Sequence, residues 1–202
     1  MPLHLLPAPP AALRSVLAAL RSPTAARHPG SAPAAPGGTH SRLQPELPLP
    51  LHEMTSFSRA AGSSATRLTG WRFLLREAEA PAGSFPPAAA ESVLTPDGWA
   101  FGYFCGGPYV PSTRRALQQA ESLTEDFQPR LLSVPQLYML TLWLHGDTGA
   151  DPAQGTPQPS DLLIPLAPAP PGIAAHRPHR VDALLPLLTR RAVPAPLMRT
   201  PA

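Results

Sequence analysis

Gly98–Leu123 reads GWAFGYFCGGPYVPSTRRALQQAESL. It decides the fold because it passes from one periodicity to another. Over Gly98–Cys105 the side chains alternate: Trp99, Phe101, Tyr103 and Cys105 share one face, and Ala100, Gly102 and Phe104 the other. A period of two is that of a strand. Gly106-Gly107-Pro108 ends the strand. Ser112 or Thr113 can cap a helix, after which Ala116, Leu117, Ala120, Leu123 and Phe127 fall on one helical stripe.

The same stretch holds the chain's single cysteine. With the rings turned inward, Cys105 is expected among them, and a thiol in apolar surroundings has a raised pKa and is inert. A phosphate loop is also not expected. Pro108 and Pro111 donate no N–H, and no lysine stands at the helix start. Tyr109 is the expected exposed aromatic, and Arg114 and Arg115 lie at the positive helix end. These three are the partner-binding candidates.

Working upstream, Thr95–Gly98 (TPDG) is a turn: Pro96 presets φ, Asp97 tolerates the second corner and Gly98 takes positive φ. Before it lie AAAESVL and, over Gly70–Arg76, an alternation of Trp71, Phe73 and Leu75 with Arg72, Leu74 and Arg76. Residues 70–105 therefore read as a three-stranded antiparallel meander. Working downstream, residues 136–145 read as a central strand, with a buried helix as the other reading. DLLIPLAP (161–168) reads as a further strand, placed at a sheet edge by Pro165. VDALLPLLTRR (181–191) reads as a closing helix, with Pro186 expected near its first turn.

The expected fold is α+β: a mostly antiparallel sheet of about five strands with two helices on one face, in the order β-β-β-α-β-β-α. Residues 1–46 lie within a stretch, 1–50, that carries 11 prolines, many alanines and a single acidic residue, Glu46. They are expected to form a disordered tail with one possible short helix at 11–22, dispensable for folding. A single domain is expected over 47–193 and a flexible tail over 194–202.

Composition narrows the chemistry. The chain has 202 residues, 31 of them proline, with 14% charged residues against a typical ~25%. All 16 basic residues are arginine, and the net charge is +3. Arginine pairs occur only at Arg114-Arg115 and Arg190-Arg191, so a nucleic-acid stripe is not expected. One cysteine excludes an intrachain disulfide and suits a reducing, cytoplasmic setting. No apolar run approaches the ~18 residues needed to span a bilayer.

Two residue sets carry weak chemical signals. Cys105, His145 and Asp147 supply the types for a cysteine nucleophile, its base and an orienting carboxylate, as in a small hydrolase or transferase. His176, His179 and Asp182 supply two imidazoles and a carboxylate suited to zinc, although exposed loop histidines are the expected reading. No cofactor motif is present. The residue set fits a non-enzymatic accessory protein best, one that binds another protein or its own copy through a sheet edge.

Overall fold

The computed structural model describes residues 2–22, 43–56, 65–81 and 88–192. Its elements run α1 (Pro10–Arg21), β1 (Leu43–Ser56), β2 (Ala65–Glu77), β3 (Ala88–Thr95), β4 (Gly98–Cys105), α2 (Tyr109–Ala120), β5 (Gln128–Val134), β6 (Met139–His145), β7 (Leu162–Pro165), β8 (His179–Arg180) and α3 (Val181–Ala192). The α+β class stands. The sheet is larger than expected and mixed, with eight strands in the order β4-β3-β2-β1-β5-β6-β7-β8 and three helices. Among the strands just named, β1 and β5 alone pair in parallel, with α2 in the connection between them.

The meander β2-β3-β4 forms as read. Thr95 pairs with Gly98 across the two-residue turn, and Gly98 has φ +112°. Gly70 is needed where β2 meets β3, because a Cβ there would strike the carbonyl of Ser92.

Three expectations about elements are corrected. The 128–145 region is a hairpin, β5 and β6, joined by a 3₁₀ turn at Pro135–Leu137 and Tyr138 at φ 48°. Pro135 thus separates two strands rather than interrupting one. β1 was hidden by Pro45, Pro48 and Pro50. They survive because β5 pairs only with residues 51–53, so the missing N–H groups lie where β1 has no neighbour on that side. Pro165 follows the same rule. β8 covers only Leu162 and Leu163, leaving Pro165 outside its reach in an otherwise interior strand.

The expected tail is corrected as well. α1 buries Ala12, Val16 and Leu20 against Trp71, Phe73, Leu75, Ala90 and Phe104. Leu43–Glu46 pair with β2, and Leu3 bridges Phe127. Residues 2–22 and 43–46 therefore pack as part of the folded unit. The part of the expected tail at 23–42 and the C-terminal tail expected over 194–202 lie outside the described residues.

The helices cover both faces rather than one. On β6, Leu140, Leu142 and Leu144 pack with Val110, Ala116, Leu117 and Ala120 of α2. The alternate residues Met139 and Trp143 pack with Val181, Leu184, Leu185 and Leu188 of α3. The strand register carries that second face across to Trp71, Phe73 and α1. Pro186 lies inside α3 rather than at its first turn. It sits on the exposed side, where the freed carbonyl can meet water.

Candidate functional site

β4 ends the sheet. Among the described residues it pairs with β3 alone, so alternate residues from Gly98 to Phe101 turn their N–H and C=O groups away from that partner. It has eight residues, and none of them is charged or proline. Tyr103 (44% exposed), opposite Glu91, and Leu94 (49% exposed), opposite Trp99, are exposed side chains on the two faces of this margin. The opposite edge, β8, has two residues, and its Arg180 is tied to Asp182 at 3.1 Å.

A bulge interrupts β4 at Gly102, where the register shifts between Glu91 and Ser92. It reverses the alternation read from the sequence. Trp99, Phe101 and Phe104 all join the α1 cluster, whereas Cys105 packs on the α2 face. The lone thiol is thus not under the rings as expected. Burial still pushes it up to about 11, Arg72 pulling down and Glu91 up, so it remains a poor nucleophile.

The proposed nucleophile set is not assembled. Cys105 lies on β4 and His145 on β6, five strand steps apart, about 24 Å along the sheet. Asp147 caps the N–H of Gly149 at 3.0 Å. The carboxylate that His145 meets is Asp161, with Nδ1 to Oδ2 at 2.8 Å. Asp161 is 2% exposed and accepts three more bonds: from Trp143 Nε1 (2.7 Å), Gln158 N–H (2.9 Å) and Gly146 N–H (3.1 Å). Burial would raise its pKa, but these bonds outweigh burial and hold it below the usual range.

Around Asp161 lies a buried polar cluster on the α3 face. Arg130 is 0% exposed; its guanidinium stands 4.8 Å from the Trp143 ring centroid. Its Nε donates to Gln128 (2.6 Å), and its terminal nitrogens donate to the carbonyls of Gln154 and Asp151. His52 meets the carbonyl of Pro152 at 2.9 Å. Burial lowers the His52 pKa to about 4, assisted by Arg130 and His145, so the ring is neutral at physiological pH. Every one of these groups holds the segment between β6 and β7. The cluster is a scaffold for that segment, and sequence reading missed it because its members come from β1, β5, β6 and the residue before β7.

The zinc set is also divided. Asp182 is engaged by Arg180, while His176 Nε2 lies 3.1 Å from Ser112 Oγ, whose oxygen accepts the Ala167 N–H at 2.8 Å. His176 Nδ1 is buried without a hydrogen-bond partner, and no carboxylate orients the ring. Burial, then Arg115, lowers the His176 pKa. Among the described residues no group of three or more histidine, cysteine or acidic side chains could hold a metal ion. Ser112 and His176 together fasten α2 to the 166–178 segment. Ser112 lies inside α2 rather than capping it, because the helix begins at Tyr109.

The partner-binding candidates fare unevenly. Tyr109 is half-buried, and its hydroxyl donates to the carbonyls of Tyr138 (2.8 Å) and Pro168 (3.1 Å). It joins two loops, and the strongly exposed aromatic is Tyr138, at 91%. Arg115 is exposed and Arg114 partly buried. Elsewhere, Arg67, Arg72, Arg76 and Arg180 each meet a carboxylate, which leaves less free positive charge for a polyanion. No helix among the described residues is long and apolar enough to cross a membrane. No family model, no curated protein and no solved structure matches this chain.

Proposed function

We propose that this chain is a non-enzymatic interaction module that binds another protein by adding an extended segment along β4. The supporting observation is the character of that edge: eight residues, uncharged, rich in aromatic side chains and, among the described residues, paired with β3 alone. Natural sheets protect such edges with charge, proline or very short strands, and where they do not, the edge is open to main-chain pairing. The three candidate catalytic residues are dispersed or engaged elsewhere, which favours binding over catalysis. A reducing compartment such as the cytoplasm suits the unpaired thiol.

A photo-cross-linking benzoylphenylalanine placed at Tyr103 tests this, with the same probe at Leu187 of α3 as control. In cells of the source organism, the Tyr103 position is expected to give a discrete protein adduct and the Leu187 position none. No adduct at Tyr103, or equal adducts at both positions, removes the reading.

A further inference from the structure

Resting on that reading, we infer that the segment added at β4 is β4 of a second copy, paired antiparallel about a two-fold axis. The argument begins with the two ends of the sheet. Head-to-tail addition of β4 to β8 would propagate without closing. It is disfavoured because β8 offers two residues and the charged Arg180–Asp182 pair. Addition of β4 to itself closes at two copies and joins two eight-stranded sheets into one.

Self-pairing imposes one electrostatic condition. In an antiparallel pair of identical strands about a two-fold axis, the axial residue faces its own counterpart, so a charge there meets a like charge. From Gly98 to Cys105 there is none.

The bulge selects the register. Gly102 disturbs the ladder, leaving Gly98–Phe101 as the regular part nearest the turn. With Ala100 on the axis, Trp99 lies opposite the second copy's Phe101, and each Phe101 opposite a Trp99. Both side chains are only partly buried against the α1 cluster, so both retain surface to share. Aromatic cross-strand pairs are among the favourable ones. Ala100, on the other face, meets its own copy, where a small side chain lets the backbones approach.

Charge exchange at the axis tests the pairing. Sedimentation equilibrium of the full chain is expected to show twice the 21.4 kDa chain mass. Ala100→Lys and Ala100→Glu are each expected to sediment as monomers, since like charges then meet at the axis. Mixed in equal amounts, they are expected to recover the dimer. That recovery also shows that both variants fold. A monomeric natural sequence across the concentration range overturns the inference, as does a dimer indifferent to both substitutions or a mixture that stays monomeric. The Tyr103 cross-link keeps the two claims apart. An adduct with a different protein leaves the strand-addition reading standing and removes only self-pairing; no adduct removes both.

Discussion

Arg72 and Arg130 are both buried, on opposite faces of one sheet, and are stabilised in different ways. Arg72 on β2 faces Glu91 directly across on β3, with Nε to Oε1 at 2.7 Å and a second, shorter contact from its terminal nitrogen. Burial opposes its charge, and Glu91 outweighs burial, so its pKa is raised. Arg130 on β5 has no carboxylate in contact; it is held by an amide oxygen, two loop carbonyls and the face of Trp143. Burial lowers its pKa, with Asp161, Asp151 and Asp147 opposing from further away. The difference follows from what each arginine joins. Arg72 ties two strands that already pair, so a partner across the ladder suffices. Arg130 ties a strand to a fifteen-residue connection, Gly146–Ser160, whose free carbonyls are the donors' natural targets.

The largest expected effect comes from breaking the first arrangement. Glu91→Ala leaves a buried guanidinium without its counter-charge, and removing one member of a buried pair costs about 3–5 kcal/mol. Urea unfolding followed by tryptophan fluorescence should show that loss. The double variant Arg72→Met, Glu91→Leu should recover most of it, because it removes both charges together. If Glu91→Ala leaves the urea midpoint unchanged, the pair is not buried in solution.

The second arrangement is expected to respond to pH instead. His52 sits beside Arg130, and its pKa falls from 6.5 to about 4 on folding. Below 6.5 the unfolded chain takes up a proton that the folded chain refuses. Stability is therefore complete above about 6.5 and declines as pH falls towards 4, where the folded ring also protonates. A shift of that size corresponds to about 3 kcal/mol. His176 and His179, also lowered by burial, act in the same direction. Asp161, whose pKa is lowered, contributes its own loss only at lower pH, as its carboxyl protonates. His52→Leu isolates the first contribution: its stability should change less between pH 6.5 and 4 than that of the natural chain. An unchanged slope would assign the effect to the other histidines.

The same contrast explains what the sequence could disclose. The meander over 70–105 was legible because its strands are adjacent in the chain, alternate cleanly and are joined by a turn whose residues fix their own φ. The pair Arg72–Glu91 was not read, although Arg72 was placed on the polar side of its strand. Pairing needs the register, which alternation alone does not supply. β1 was concealed by three prolines that are harmless only because of where β5 stops, and that is a tertiary fact. The bulge at Gly102 inverted the face assigned to Cys105, since a single inserted residue shifts every later side chain across the sheet. The Arg130–Asp161 cluster was least legible, because its residues are spread from position 52 to position 161 and include main-chain carbonyls.

A smaller and more local effect should distinguish the two arginines once more. Arg130→Met preserves an apolar stem over Trp143 but removes both bonds to the 146–160 connection and the bond to Gln128. The carbonyls it releases, those of Asp151 and Gln154, belong to exposed residues and can turn to water, whereas the buried Oε1 of Gln128 loses its donor. The expected global loss is about 1–3 kcal/mol, since one buried acceptor is left without its donor. The connection itself should loosen far more than the sheet does. Hydrogen exchange should rise at the N–H groups of Ala153 and Gln154, which bond within this turn, while those of β5 and β6 stay slow. Uniform acceleration across the sheet would mean that Arg130 supports the core itself, and the contrast with Arg72 would then be one of degree only.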